Sequence, residues 1–213
     1  MSVYRDLRYD PTAHAYFIDG QRVPSVTQIL QDVGLIDTTY FTDEARERGS
    51  FAHKAIQLWL ADNLDESDLS EGLKGYLDSA RQFMAMVGTE HEVEMPRFHP
   101  AIRFAGTPDL VCTIDEYGFA VPDFKIGAKE ASHRYQSAAY AFLVALGDRG
   151  DNEILSFTPM KPGRIMVHLD ADGKPPKLEP YPAGGNDERI FLAALTVYHA
   201  KHQHGVATAL SYL

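Results

Sequence analysis

The stretch GTPDLVCTIDEYGFAVPDFKIG, residues 106–127, decides how this chain is read. Two apolar runs, Leu110–Ile114 and Phe119–Ile126, flank a turn at Glu116–Tyr117–Gly118, the pattern of two strands joined as a hairpin. Within a strand, residues two apart share a face, so Asp123 and Lys125 project together and Phe124 packs on the opposite side. If residues 107–114 and 119–126 pair antiparallel, Asp109 comes close to Asp123. Two carboxylates beside one ammonium suit a hard divalent cation, because Mg²⁺ takes one or two carboxylates plus waters and substrate phosphate oxygens. A surface ion pair on an edge strand is the plainer reading. Against it, both acids sit inside apolar runs, where charge is costly unless paired or coordinated.

Working outward, Tyr9–Val23 reads as a β-hairpin turning at Asp19–Gly20. Ser25 with Gln28 three positions on has the form of a capping box and opens a short helix to Val33, with Gly34 as its stop. A longer helix starts after Thr42. Its Phe51, Ala52, Ala55, Ile56, Trp59 and Leu60 recur at helical spacing and predict one buried face. Gly49 interrupts this helix at a cost of about 1 kcal/mol relative to alanine, which suggests a close backbone approach. A third helix is expected over 67–87, ending at Gly88. Beyond it the pattern gives strands at HEVEMPRF (91–98), AGTPDLVCTID and FAVPDFKIG, a helix over 131–146, strands at EILSFTPM (153–160) and RIMVHLD (164–170), a Pro-rich loop, and a last helix over 186–202. Helices followed by strand–helix–strand units predict an α/β fold with a central mixed sheet flanked by helices. The expected division is a hairpin and helical part (1–90), a sheet core (91–170) and a C-terminal loop and helix (171–213), all within one domain of 213 residues.

Composition narrows the function. The net charge of −10 makes a simple DNA-coating module a poor fit, though an enzyme with a local basic groove remains compatible. Arg46, Arg48, Lys54, Lys129 and Arg134 fall in or beside the candidate helices and are expected at the mouth of such a groove. The single cysteine, Cys112, excludes an internal disulfide and any cysteine-ligated zinc or iron–sulfur cluster held by one chain. No apolar run approaches the roughly 20 residues that span a bilayer, and the N-terminal segment lacks a signal-peptide core. A cytoplasmic location, that of the host if the chain is phage-encoded, and no membrane partner are the expectations.

Taken together, Arg48–Gly49 with His53, Gly106–Asp109, Asp123–Phe124–Lys125, and Gln136 with Tyr140 resemble the PD-(D/E)XK nuclease superfamily. The likeness is to its RecB-like branch, which includes phage and recombination exonucleases. Pro24–Thr27 also looks like the start of phage members, and the resemblance covers residues 20–170. It implies a restriction-endonuclease-like core, Mg²⁺ or Mn²⁺ as cofactor, and hydrolysis of DNA phosphodiester bonds, as an exonuclease rather than an endonuclease, in recombination, repair or phage DNA processing. It also implies His53 as a metal ligand or phosphate contact, and Gln136 and Tyr140 facing the site, touching Lys125 or DNA. Family members that bind an iron–sulfur cluster use four cysteines, which this chain lacks.

The candidate metal ligands are therefore His53, Asp109, Asp123 and the Phe124 carbonyl, with Lys125, Gln136 and Tyr140 completing the catalytic set. Arg46, Arg48, Lys129 and Arg134 are the DNA-binding candidates. Glu92 and Glu94 are candidate outer ligands, although alternating glutamates on a half-exposed strand are ordinary. His199, His202 and His204 suit cations near a helix C-terminus. Asp170–Gly173 reads as a turn, since no Glu follows at the spacing of a calcium loop. DNA is the expected partner, with a recombination protein and a ring-shaped homo-oligomer as further expectations. The competing readings are a catalytically silent DNA- or protein-binding module and an enzyme of other chemistry using the same metal site.

Overall fold

The computed structural model describes residues 6–36, 42–148, 161–182 and 185–203. Strands β1 (Leu7–Asp10), β2 (Ala15–Ile18) and β3 (Gln21–Val23) form a small antiparallel sheet. Asp19 and Gly20, both at positive φ, make its expected turn. Helix α1 (Val26–Asp32) opens on the full capping box: Ser25 Oγ accepts from the Gln28 N–H at 3.2 Å, and Gln28 Oε1 accepts from the Ser25 N–H at 3.0 Å. The remaining helices are α2 (Asp43–Leu60), α3 (Glu71–Met84), α4 (His133–Leu146) and α5 (Asn186–Gln203).

Among the described residues the central sheet has five strands. They are β4 (Val87–Val93), β7 (Leu110–Ile114), β8 (Gly118–Lys125), β9 (Gly163–His168) and β10 (Lys177–Tyr181), in the order β10-β9-β8-β7-β4. β8 and β9 are parallel and the other neighbours antiparallel, so the sheet is mixed. Helix α4 lies between the two parallel strands in sequence, as a parallel pair requires a long crossover. A short pair, β5 (Arg97–His99) and β6 (Phe104–Gly106), packs with the N-terminal sheet around Tyr16, Ile18, Val23 and Phe98.

Alternation along the strands divides the core. Leu110, Cys112, Ile114, Ala120 and Phe124 face α2 and α3, where Phe83 meets Phe124 edge-on. Val111 and Val121 face α1, α4 and α5. Asp123 and Lys125 share the parity of Val121 and so belong to the α4 side. Gly106 is fixed by this packing: a Cβ there would sit 2.9 Å from the Tyr140 ring and 3.0 Å from the Val26 side chain.

Several expectations shift. The helix expected over 67–87 is a single 3₁₀ turn (Glu66–Asp68) and α3, while Val87 and Gly88 belong to β4, because pairing with β7 outweighs local helical spacing. Pro96 and Pro108 each fall in a break that splits one expected strand into two (β4/β5 and β6/β7). Phe51 is 60 % exposed, off the buried face that Ala52, Ala55 and Ile56 define. Among the described residues outside its own helix, no atom would lie within 4 Å of a Cβ at Gly49, so the expected close approach is not seen there. The Pro-rich loop contains β10, an edge strand that tolerates Pro180. The expected strand EILSFTPM lies outside the described residues, as does His204.

Candidate metal and active site

Three elements bring the site together at one end of the central sheet. Asp109 stands just before β7, Asp123 and Lys125 end β8, and α4 lies across them. The antiparallel register, Cys112 opposite Ala120, brings Asp109 against β8. There the Phe124 N–H donates to Asp109 Oδ2 at 2.7 Å. Asp109 is 8 % exposed and Asp123 2 %. Lys125 Nζ contacts Asp123 Oδ2 and donates to Gln136 Oε1 at 2.9 Å, and Gln136 Nε2 donates onward to the Tyr140 hydroxyl at 3.3 Å. An ammonium has three N–H donors, so one remains for a ligand among these partners.

Helix α2 supplies His53, whose Nδ1 lies 3.5 Å from Asp109 Oδ1. Glu94 follows β4 in a left-handed conformation (φ 48°), and its N–H donates to the Asp109 carbonyl at 3.1 Å. One ligand atom from each of His53, Glu94 and Asp109 lies within 4.8 Å of the others. Of the two candidate glutamates, Glu94 joins this cluster, while Glu92 is held in a buried pair with Arg97.

The electrostatics fit a cation. Burial pushes the Glu94 carboxyl up to about 8, with the Asp109 charge adding to the rise. Burial likewise raises Asp123, and Lys125 offsets only part of that. Burial would also raise Asp109, yet His53, Lys125 and the Phe124 N–H together hold it below the usual carboxylate range. Burial opposes the charged form of His53, but Asp109 outweighs it and raises the imidazole. The Glu94 and Asp109 carboxylates and the His53 imidazole together form a donor set that could hold a metal ion.

These groups line a cleft of about 920 Å³. Its walls include residues that sequence reasoning missed, among them His14, Tyr16, Thr107, Glu130 and His133. Tyr16 and Thr107 share a hydrogen bond of 2.7 Å. His133 was accessible in principle, since 133, 136 and 140 recur at helical spacing. Of the expected basic residues, Arg46 lines the cleft. Lys129 is paired with Glu179, Arg134 with Asp187 at 2.8 Å, and Lys54 with Gln57 at 2.9 Å, and Arg48 is exposed on α2 outside the lining.

No family model matches the chain, and no curated protein matches it by sequence. Its fold is similar to that of a crystal structure from Eubacterium rectale named "Putative exonuclease", with a TM-score of 0.51 and 10 % identity over 86 % of this chain and 80 % of that one. The two chains therefore share an α/β architecture with a central mixed sheet flanked by helices.

Proposed function

We propose that this protein is a Mg²⁺- or Mn²⁺-dependent deoxyribonuclease of the PD-(D/E)XK, RecB-like type, acting as an exonuclease in recombination, repair or phage DNA processing. The observation that carries the reading is the joint placement of Lys125, bridging Asp123 and Gln136, beside the His53–Glu94–Asp109 cluster. The fold shared with a protein named as an exonuclease agrees with it.

His53, Asp109 and Asp123, with Glu94 and the Phe124 carbonyl, would hold the cation. A bound divalent cation lowers the pKa of water and offsets charge on phosphate oxygens. Lys125 directs its remaining N–H at the attacking water or a non-bridging phosphate oxygen, and Gln136 fixes the ammonium in that direction. Tyr140 braces Gln136 in turn. Water adds to phosphorus, one phosphorus–oxygen ester bond breaks, and the departing oxygen takes up a proton. Arg46, Arg48, Lys129 and Arg134 are the candidates for phosphate contacts beyond the scissile bond. Processive action by so acidic a chain would call for a ring-shaped homo-oligomer or a recombination partner, which light scattering on the purified protein addresses.

The test is a gel assay of end-labelled linear DNA with Mg²⁺, Mn²⁺ or EDTA. Metal-dependent shortening from an end is expected. Binding without cleavage in every metal would leave a silent DNA-binding module instead.

A further inference from the structure

A second cleft, of about 780 Å³, lies along α1 beside the first. Gln31, on the last turn of α1, lines both this cleft and the carboxylate cleft, so the two adjoin at that helix. Their charges differ in sign. The carboxylate cleft is lined by Glu94, Asp109, Asp123 and Glu130 against Arg46 and Lys125, four acids to two bases. The second cleft is lined by Arg22 and Arg103 against Asp32 alone. Asp32 is itself neutralised: Lys201 Nζ reaches it at 2.6 Å and His202 Nε2 at 3.0 Å. Counting Lys201, three cations meet one acid, a local excess of two positive charges on a chain whose net charge is −10.

The same cleft has an aromatic element. Tyr198 and His202, one turn apart on α5, line it with their rings 4.3 Å apart and 32° from parallel. Arg22 is exposed, and its charge acts on the Tyr198 hydroxyl. Arg103 adopts a left-handed backbone (φ 55°) and is steadied by Gln21 Oε1 at 3.0 Å and the Ile18 carbonyl at 3.4 Å. A non-glycine residue persists in that conformation only where its surroundings over-determine it. Cations spaced along a groove beside an aromatic face are what an unpaired nucleic-acid strand requires: phosphates for the cations and a base to stack on the ring. A duplex offers no base face for such stacking.

We propose that this second cleft binds single-stranded DNA, holding the strand as it leaves the carboxylate cleft across Gln31. Arg22 and Arg103 contact phosphates, and Tyr198 supports a base. The inference rests on the nuclease reading, and it explains how an acidic chain grips a polyanion whose scissile end lies among carboxylates.

The test uses the full chain and a 5′-fluorescein-labelled oligothymidylate of about 20 nucleotides, longer than one typical single-strand site. Binding is read by anisotropy in EDTA across a salt series. Arg22→Glu is expected to weaken binding about 10-fold, and Arg22→Glu/Arg103→Glu further. Each lost phosphate contact should reduce the slope of log K against log salt by about 0.7. Tyr198→Leu should weaken binding without changing that slope. Mn²⁺-dependent hydrolysis of bis(p-nitrophenyl) phosphate, too small to span both clefts, should be unchanged in Arg22→Glu. Because Arg103 also steadies Gln21 and Ile18, the exposed Arg22 decides the matter. Unchanged affinity and slope in Arg22→Glu, tight binding of a blunt duplex in preference to the oligonucleotide, or no binding by the wild type would each overturn the assignment. If the oligonucleotide binds with these sensitivities but neither DNA nor the small ester is cut, the cleft stands and the nuclease reading falls.

Discussion

The two clefts along α1 share a wall and differ in almost everything else. On one side, buried acids are crowded until burial and mutual repulsion push Glu94 up to about 8 and Asp123 up to about 6. On the other, the charges are exposed or half-buried, and the one acid, Asp32, is held below its ordinary range by Lys201 and His202. The first arrangement is costly to maintain without a cation. The second costs little, because solvated charges near a surface are screened. The contrast teaches that net charge alone is a poor guide to the charge of any one cleft. A chain at −10 can concentrate its acids where a metal would neutralise them and keep a basic groove beside them.

The strongest way to break the comparison is to remove a shared ligand of the carboxylate cleft. Asp109→Ala takes an oxygen from the metal cluster, the His53 partner and the acceptor for the Phe124 N–H together. Cleavage of linear DNA should fall by about 10³-fold or more, roughly 4 kcal/mol of barrier. Mn²⁺ binding by isothermal titration should be lost, while oligonucleotide affinity in EDTA stays within about threefold of wild type, under 1 kcal/mol. Undiminished Mn²⁺ binding would mean that the acids are not ligands.

Lys125→Ala sharpens the same cleft from within. A charged ammonium cannot ligate a cation, so the variant should keep its metal and lose about 10²-fold in rate, the scale of a positioned proton or charge donor. Gln136→Ala, which frees the ammonium rather than removing it, should show a smaller loss. If Lys125→Ala cleaves within about threefold of wild type, a barrier difference of roughly 0.7 kcal/mol, Lys125 only offsets the charge of Asp123.

The shared wall can be moved directly. A Cβ on Gly106 would press on Tyr140 of α4 and Val26 of α1 at about 3 Å. Gly106→Ala should therefore destabilise the fold by about 1–3 kcal/mol, as overpacking does. It should also impair both DNA cleavage and single-strand binding, where Asp109→Ala impairs only the first. Denaturant unfolding with both assays on the surviving native protein checks this. An effect on one cleft alone would show that α1 does not couple them.

Much of this was legible in the sequence, and the reasons are specific. Asp123 and Lys125 were placed by strand parity, which any pairing preserves. Ser25 and Gln28 were placed by a local cap that needs no tertiary partner. Glu94 was visible only as one of two alternating glutamates. Choosing between them required the break at Pro96 and the buried Arg97 that claims Glu92. The 67–87 helix was overextended because the partner of β4 lies more than twenty residues downstream. The second cleft was not legible at all: it joins Arg22 and Asp32 to Arg103 and Tyr198 from three distant segments, and no local spacing announces such a meeting.

The smallest expected effect concerns His133, which lines the carboxylate cleft and is 7 % exposed. Burial, reinforced by the nearby charges of Lys125 and His168, pushes its pKa down to about 3; Glu179 pulls the other way and Lys129 adds to the fall. Its Nδ1 accepts from the Glu130 N–H at 3.4 Å, a bond that requires an unprotonated nitrogen. The sign follows from linkage. An unfolded chain protonates this residue below about pH 6.5, whereas the native chain declines the proton until about pH 3. Stability is therefore fully present above pH 6.5 and drains away as the pH falls toward 3. Halving the ideal value for solvent screening leaves a contribution of about 1 kcal/mol lost between pH 7 and pH 5. His133→Gln keeps an acceptor for Glu130 but cannot titrate, so it should lose about that much less than wild type over the same interval. Urea unfolding of both proteins at the two pH values gives the difference, in which the carboxylate contributions common to both cancel. Equal losses would mean that His133 takes up its proton in the native state, and that the cleft tolerates a further positive charge beside Lys125.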